Sequence, residues 1–132
     1  YAHLQGEIAA AIRAARDVCD ARVHVVFQPH RYSRTEALWD TYGEALIAAD
    51  TVTITDIFAS GEAPRPGITA DLIADDVRLR SPQLPLRRVG APSEVPAALA
   101  SVALPGDLCL LLSAGDLPAI VDDTLAALQV AQ

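Results

Sequence analysis

The sequence predicts an α/β domain in which a doubly wound, mostly parallel sheet carries helices on both faces. Helical and strand patterns alternate along the chain, and this order builds parallel sheets through right-handed crossovers. Two strand patterns, at 22–28 and 108–112, are strongly apolar, and the first is expected to be a buried, central strand. The chain has 132 residues, of which 52% are hydrophobic, so we expect one core and a single domain over residues 1–132.

The first half of the chain is predicted to contain two helices, each followed by a strand. Apolar residues recur at helical spacing in the predicted helices, whereas β-branched and aromatic residues dominate the predicted strands. The order is helix 7–18, strand 22–28, helix 35–49 and strand 51–56. A loop over 57–67 follows, because Pro64, Pro66 and Gly67 block regular structure there. This loop leaves a strand end, so we expect it to line the crevice at that edge of the sheet.

The second half continues the alternation of helices and strands. The order is helix 69–77, edge strand 86–89, helix 93–103, strand 108–112 and a helix that begins after residue 116. Ser93 is the predicted N-cap of the helix at 93–103, with Pro96 in its first turn. Asp116 and Pro118 are predicted to start the last helix in the same way.

The composition excludes several functions that are common among α/β domains. With a net charge of -7 and a pI near 4.7, the chain lacks the basic face on which broad nucleic-acid binding depends. All 10 basic residues are arginines. The absence of lysine excludes a Walker lysine, a Schiff-base lysine and the lysine of a phosphoreceiver domain.

The cysteines and the apolar segments predict whether the chain has disulfides or a metal site and where in the cell it lies. Cys19 and Cys109 lie far apart in separate predicted elements, so neither a disulfide framework nor a metal site is predicted. No apolar run approaches the roughly 18 residues needed to span a bilayer, and the first residues lack a signal pattern. We therefore expect a cytoplasmic protein with no membrane partner. The opening Tyr1-Ala2-His3 lacks methionine, which suggests a piece of a longer chain.

Three residues that resemble ligands or stacking platforms are expected to be structural. His24 lies inside the first strand pattern and is predicted to be a packed histidine. Trp39 and Tyr42 lie on the apolar face of the second helix, where they are predicted to join the core.

The turn after the first strand pattern concentrates positive charge where α/β sheets bind ligands. His30, Arg31 and Arg34 lie in this turn, and the carboxyl ends of parallel strands form the usual ligand crevice of such sheets. We therefore predict an anion-binding site here. The alternative is that these arginines face solvent or pair with acids of the following helix. Those acids are Glu36, Asp40 and Glu44.

The start of the second helix strengthens the prediction of an anion site. Ser33 and Glu36 have the spacing of a capping box, so Ser33 is the predicted N-cap. Arg31 and Arg34 then lie near the positive end of the helix dipole, where a cation costs about 0.3 to 1 kcal/mol. A bound carboxylate or phosphate would reverse the sign of that interaction.

The turn Ser113-Ala114-Gly115-Asp116 joins the second apolar strand to the last helix. It is similar to the glycine-bearing phosphate loops of α/β folds, which makes it a second candidate for phosphate binding. The alternative is that Gly115 serves only the turn.

Four segments resemble, in order, motifs of the UDP-N-acetylmuramate:L-alanine ligases, which are members of the Mur ligase family. Residues 28–35 match the family's Gln-Pro-His-Arg-Tyr-Ser-Arg-Thr segment throughout. Tyr1-Ala2-His3 is similar to the end of an Asp-Asp-Tyr-X-His-His-Pro motif, and residues 59–64 resemble an Ala-Ala-Gly-Glu-X-Pro loop. Residues 113–116 resemble a Gly-Ala-Gly-Asp turn. The likeness spans the whole chain and is to the third, C-terminal domain of these enzymes.

The resemblance implies a Rossmann-like domain that closes over an active site formed with a central ATPase domain. The family reaction uses ATP and magnesium to phosphorylate the carboxyl group of UDP-N-acetylmuramate, and the amine of L-alanine then attacks the acyl phosphate. This step belongs to peptidoglycan synthesis in the bacterial cytoplasm. ATP and magnesium would be bound mainly by the central domain, so this domain alone is expected to be inactive. Its partners would be the central and N-terminal domains of the same chain.

The same resemblance implies which residues bind L-alanine or the acyl phosphate, namely His30, Arg31, Arg34, Tyr1 and His3. A guanidinium grips a carboxylate through two parallel charge-assisted hydrogen bonds, so the two arginines are expected to hold the alanine carboxylate. His30 would hydrogen-bond the alanine or the acyl phosphate, or relay a proton. The first motif is incomplete, since residues 4–7 read Leu-Gln-Gly-Glu instead of His-Pro-Thr-Glu. No residue is assigned to catalysis, to a metal or to ATP.

Two other functions remain open at this point. A related ligase that recycles a tripeptide onto the same sugar nucleotide shares the domain plan, although not the motif at residues 28–35. A stand-alone, non-catalytic module that binds a small anion through Arg31 and Arg34 is the other. An upstream ATPase domain in the gene would support either ligase over the module.

Overall fold

The structure is a computed structural model that describes residues 2–132, and this part of the chain contains five α-helices and four strands. The helices are α1 Gln5–Val18, α2 Tyr32–Leu46, α3 Asp71–Arg80, α4 Val95–Ala100 and α5 Val121–Ala131. The strands are β1 Val23–Phe27, β2 Thr51–Ile54, β3 Leu86–Arg88 and β4 Leu108–Leu112. Short 3₁₀ helices at Pro92–Glu94 and Leu117–Ile120 precede α4 and α5. Every predicted helix and strand is present; the ends of most differ by a few residues from the predicted ones, and those of β4 agree.

The four strands form one parallel sheet in the order β3-β2-β1-β4. In the ladder, Val25 of β1 is aligned with Val52 of β2 on one side and Leu110 of β4 on the other. All residues of β1 are buried, including His24, as the largely apolar pattern of this strand predicts. β3 is an edge strand, also as predicted. The fold is thus the expected Rossmann-like α/β arrangement.

Apolar layers cover both faces of the sheet. Helices α1, α2 and α3 enclose one core, in which Ile12, Phe27 and Tyr42 are almost completely buried. Helices α4 and α5 enclose the other, around Val26 and Leu99. Tyr42 is therefore a core residue, as predicted, and burying each such side chain contributes about 1.5 to 3 kcal/mol. The loops at the carboxyl edge of the sheet rest on this packed support.

Of the predicted N-caps of the last two helices, Ser93 is wrong, whereas Asp116 occupies the predicted N-cap position with Pro118 in the first turn. Ser93 lies inside the 3₁₀ helix before α4, where the Glu94 carboxylate accepts hydrogen bonds from two backbone N–H groups at 2.6 and 2.7 Å. The longer glutamate side chain reaches back over the turn and satisfies these donors. Asp116 precedes a 3₁₀ helix and makes no capping hydrogen bond, because its carboxylate is bonded elsewhere.

A buried polar network ties the strands together at the amino end of the sheet. His24 is fully buried, as predicted; its Nδ1 lies 2.7 Å from the hydroxyl of Thr51, and its Nε2 lies 2.8 Å from the carboxylate of Asp107. The same carboxylate accepts a hydrogen bond from the Arg22 guanidinium at 2.8 Å. The network lies at the opposite end of β1 from the turn that carries His30, so it supports the sheet and does not join the predicted site.

Candidate functional site

The predicted site residues that the structure describes meet at the carboxyl end of β1. His30 and Arg31 connect this strand to α2, Arg34 lies in the first turn of α2, and His3 lies beside them just before α1. The ring centroids of His3 and His30 are 5.9 Å apart. Two segments that are distant in the sequence therefore meet at one edge of the sheet. Tyr1, the remaining predicted residue, lies outside the described residues.

Arg31 has a backbone conformation that is unfavourable for a residue with a side chain. Its φ of 70° and ψ of 143° lie in a region that costs about 1 to 3 kcal/mol for residues other than glycine. Its N–H donates to the Phe58 carbonyl oxygen at 2.8 Å, and its own carbonyl oxygen accepts from the Thr35 hydroxyl at 2.9 Å. Glycine would take this conformation without strain, so the presence of arginine indicates a role for its side chain.

The guanidinium groups of Arg31 and Arg34 make no ion pair or hydrogen bond with another residue in the described part of the chain. Two of the three alternative partners within α2 are engaged elsewhere: Glu36 pairs with Arg65, and Glu44 accepts a hydrogen bond from α1 at 3.2 Å. The alternative of pairing within α2 is thus wrong. Two adjacent cations without a counter-ion are suited to hold a carboxylate or phosphate.

His30 lies between two aromatic rings and within the field of the arginines. Its imidazole stacks on Phe58 with centroids 5.8 Å apart and an interplanar angle of 16°, and His3 packs nearby. Its Nδ1 is buried and makes no hydrogen bond within residues 2–132. Burial, followed by the charges of Arg34 and Arg31, lowers the pKa of His30 from the ordinary value of 6.5. His30 is therefore neutral at pH 7 and able to accept a hydrogen bond or a proton.

The N-terminus of α2 is occupied by Glu62, so the prediction that Ser33 caps this helix is wrong. The Glu62 carboxylate accepts hydrogen bonds from the Ser33 backbone N–H at 3.0 Å and from its hydroxyl at 2.5 Å. These bonds lower the pKa of the Glu62 carboxyl. The loop thus supplies the anion that a helix N-terminus favours. An added anion would therefore meet the arginine side chains and not the Ser33 donors.

The loop at 57–67 lies along the same edge, as predicted. Besides the contact between Glu62 and Ser33, an ion pair joins Arg65 to Glu36 on the first turns of α2. At its start, the N–H of Phe58 donates to the Pro29 carbonyl oxygen at 2.8 Å. The loop is therefore fastened to both flanks of the His30 turn.

The turn at 113–116 is filled by the side chain of Gln28. The Gln28 amide nitrogen donates to Asp116 at 2.6 Å, and its oxygen accepts from the Ser113 hydroxyl at 2.6 Å and the Leu117 N–H at 3.3 Å. The N–H of Gly115 donates to the Ser113 hydroxyl oxygen at 2.8 Å. Since these donors are satisfied inside the fold, they do not form an open phosphate loop of the kind considered from the sequence.

Gly115 is needed for a close contact and not for the backbone conformation of the turn. Its φ is not in the left-handed region. A Cβ atom there would lie 2.6 Å from Cγ of Phe58 and 2.7 Å from Oε1 of Gln28. Phe58 therefore packs directly on the bare backbone of this turn.

His3 is positioned by Glu7, although the motif around it departs from the family pattern. The Glu7 carboxylate accepts hydrogen bonds from the backbone N–H groups of Leu4 at 3.1 Å and His3 at 3.4 Å. It also lies 3.6 Å from Nδ1 of His3. The glutamate at the end of the motif thus caps α1 and orients the histidine at its start.

Within residues 2–132, no group of three or more histidine, cysteine, aspartate or glutamate side chains is arranged to hold a metal ion. In the same part of the chain, no helix combines the length and the apolar character that crossing a bilayer requires.

Three residues of this edge had no role predicted from the sequence: Gln28, Phe58 and Glu62. Gln28 and Glu62 lie within the motifs that resemble the family, which was the available signal. Phe58 immediately precedes the second of those motifs and carried no signal of its own.

Comparison with known proteins identifies the family. Residues 1–115 match the family model described as Mur ligase, glutamate ligase domain. The UDP-N-acetylmuramate--L-alanine ligase of Sorangium cellulosum is 40% identical over 98% of this chain, which covers 28% of that protein. The enzyme of the same name from Acidobacterium capsulatum is 43% identical over 88% of the chain and is covered to 24%. The chain thus spans about a quarter of the length of the curated relatives it matches.

Solved structures share the fold. A UDP-N-acetylmuramate-alanine ligase from Thermotoga maritima matches the whole chain with a TM-score of 0.73 at 23% identity, and the chain covers 26% of it. A domain from a putative UDP-N-acetylmuramate:L-alanyl-γ-D-glutamyl-meso-diaminopimelate ligase of Haemophilus ducreyi matches 97% of the chain with a TM-score of 0.69 at 23% identity. The chain covers 86% of that domain, so a domain of this fold was solved by itself. Taken with the family match over residues 1–115, these findings show that the chain belongs to the glutamate ligase domain family of the Mur ligases.

Proposed function

We propose that this chain is the amino-acid-binding domain of a longer, ATP-dependent ligase that joins L-alanine to UDP-N-acetylmuramate in peptidoglycan synthesis. The observation that carries the proposal is the pair of guanidinium groups, Arg31 and Arg34, without partners in the described chain, beside neutral His30. The curated relatives that carry the name of this ligase at 40% and 43% identity support the choice of substrate.

The arginine pair accounts for the recognition of the carboxylate of a free amino acid. A guanidinium fork fixes both the position and the direction of a carboxylate, and it thereby fixes the amine attached to the same carbon. Glu62 already satisfies the helix N-terminus, so the side chains of Arg31 and Arg34 provide the free positive charge at this edge. L-Alanine bound in this way would present its nitrogen to the acyl carbon of the activated sugar nucleotide.

His30 suits the nitrogen side of the same substrate. The amine attacks the carbonyl carbon, a carbon–nitrogen bond forms, and the bond from that carbon to the phosphate oxygen breaks. The nitrogen must be unprotonated to attack, and a neutral imidazole accepts a hydrogen bond or a proton from an ammonium group. The low pKa of His30 keeps the imidazole in that neutral form.

The described residues provide no magnesium site of their own. No carboxylate or histidine cluster within residues 2–132 is arranged for a metal, and the donors of the turn at 113–116 are bonded to Gln28. We place ATP and magnesium on the remainder of the longer ligase, which would work in the bacterial cytoplasm with its central and N-terminal domains.

Alanine binding tests the proposal directly. Amide spectra of the chain titrated with L-alanine should show shifts concentrated at residues 30–34. The dissociation constant should rise about 10- to 100-fold in Arg31→Ala and Arg34→Ala, because each removes charge-assisted hydrogen bonds. Arg13→Ala, which removes an exposed arginine of α1, is the matched control and should bind as the unchanged chain does. Equal constants in all three variants would overturn the proposal.

A substrate panel separates the two ligase reactions. The chain can replace the matching segment of the Sorangium cellulosum ligase, to which it is 40% identical. We expect the chimera to consume L-alanine and not the tripeptide L-alanyl-γ-D-glutamyl-meso-diaminopimelate. A chimera that uses the tripeptide and leaves L-alanine unused would support the recycling reaction instead.

A further inference from the structure

We infer that Phe58 is a positioning residue, which holds the His30 imidazole and the Arg31 backbone in the orientation that the substrate meets. The inference rests on the proposed function of this edge, but its structural part can be tested without alanine. Phe58 lies in the loop after β2 and has no place among the residues expected to touch the substrate.

The backbone of Phe58 is hydrogen-bonded to the turn that carries His30 and Arg31. Its N–H donates to the Pro29 carbonyl oxygen at 2.8 Å, and its carbonyl oxygen accepts from the Arg31 N–H at 2.8 Å. These bonds form a parallel bridge between His30 and Phe58, beyond the ends of β1 and β2. Because the Arg31 conformation is costly, it needs such external bonds to persist. Phe58 supplies one of them directly.

The ring of Phe58 lies between the His30 imidazole and the turn after β4. One side stacks on the His30 imidazole, with centroids 5.8 Å apart. The ring also packs on Gly115, where any Cβ atom would come within 2.6 Å of it. The turn after β4 therefore limits where the Phe58 ring can lie, and the position of this ring in turn limits the orientation of the His30 imidazole.

The ring does not serve either hydrophobic core. The half-buried Phe58 belongs to neither core cluster in the described chain. Its neighbour Ile57, by contrast, packs against the first cluster. The apolar surface of Phe58 is thus buried by contacts with Gly115 and His30.

His30 needs this support because no hydrogen bond from a residue of the described part of the chain fixes its ring. A functional histidine is commonly oriented by a hydrogen bond from one ring nitrogen to a carboxylate or carbonyl group. Nδ1 of His30 is buried without such a partner among residues 2–132. Ring packing therefore takes over the orienting role, and Phe58 is the residue stacked on the imidazole.

The test observes His30 first, in the 132-residue chain, since a domain of this fold was solved by itself. Phe58→Leu should change the imidazole ¹³C and ¹⁵N shifts of His30. It should also move the pKa of His30 toward 6.5, because the imidazole becomes hydrated once the phenyl ring is removed. Phe58→Tyr keeps the stack and should leave both values unchanged. Trp39→Leu, which removes another half-buried aromatic side chain, is the matched control and should leave His30 unchanged.

Gly115→Ala provides a second way to move the ring without removing it. It should shift the His30 resonances in the same way, even if Phe58→Leu fails to fold. Both variants should weaken L-alanine binding about 3- to 10-fold, the range of one lost aromatic contact. Unchanged His30 shifts in Gly115→Ala would overturn the inference, whatever the arginine variants show. The proposed function fails independently, when Arg31→Ala and Arg34→Ala bind alanine normally.

Discussion

Ser33 binds the carboxylate of Glu62 at the N-terminus of α2, through its backbone N–H at 3.0 Å and its hydroxyl at 2.5 Å. A helix N-terminus attracts anions, and here the chain itself provides one from a loop. The loop is thereby fastened to the helix that carries Arg34. In the proposed function, recognition of an external carboxylate is left to the arginine side chains, and the same loop holds the Arg31 backbone.

Glu62→Gln should lower the thermal midpoint of the chain at pH 7, because the amide keeps the size of the side chain but loses its charge. Hydrogen bonds from Ser33 hold the pKa of Glu62 below the ordinary 4.5. The stabilisation is therefore complete above that value and is lost as the pH falls through the lowered pKa. Thermal melts at neutral and acidic pH measure the difference. Asp20→Asn, at an exposed aspartate, is the control, and equal midpoints at pH 7 would contradict the prediction.

Arg31→Gly should be more stable than Arg31→Ala, by about 0.5 to 2 kcal/mol, although glycine is usually the weaker choice. The reason is the φ of 70°, which glycine adopts without strain and alanine does not. Urea unfolding of the two variants measures this difference. Both variants should bind L-alanine equally poorly, since both lack the guanidinium. A glycine variant less stable than the alanine variant would show that the strain is absent.

Arg34→Gln should raise the pKa of His30, because after burial the charge of Arg34 contributes most to lowering it from 6.5. In the unchanged chain, His30 should titrate below 6.5, and L-alanine binding should weaken as the pH falls through that lowered value. A pH titration followed by the imidazole resonances provides the measurement. Arg13→Gln removes an equal charge from α1 and should leave the titration in place. A His30 pKa unaffected by Arg34→Gln would refute the electrostatic argument.

Asp107→Asn should destabilise the chain by about 2 kcal/mol at pH 7, without affecting L-alanine binding. Although burial opposes it, hydrogen bonds from His24, Leu104 and Arg22 hold the pKa of Asp107 well below its usual range. Its stabilisation is present above the ordinary value of 3.8 and is lost as the pH falls through the lowered pKa. Urea unfolding at several pH values should show the two chains converging in acid. A constant difference would argue against this network as the cause.

Much of the fold was predictable because its signals are local. The helical spacing of apolar residues in α1 and the largely apolar run of β1 reflect burial of residues that are close in the chain, which the sequence displays directly. The group formed by His30, Arg31 and Arg34 was predictable for the same reason, since one turn carries all three. The start of α2 was misplaced, because the spacing of Ser33 and Glu36 matches a capping box that Glu62 displaces.

By itself, the sequence determined the alternation of helices and strands, and with it a parallel sheet whose carboxyl edge carries the arginine pair. Only the tertiary structure decided which residues support that pair. Glu62, Phe58 and Gln28 act through contacts with residues that are remote in the chain, at the α2 N-terminus, on His30 and in the turn at 113–116. Such contacts depend on how strands and loops are brought side by side, and no local pattern records that. The strained φ of Arg31 is the clearest case, because it exists only where the bridge to Phe58 holds it.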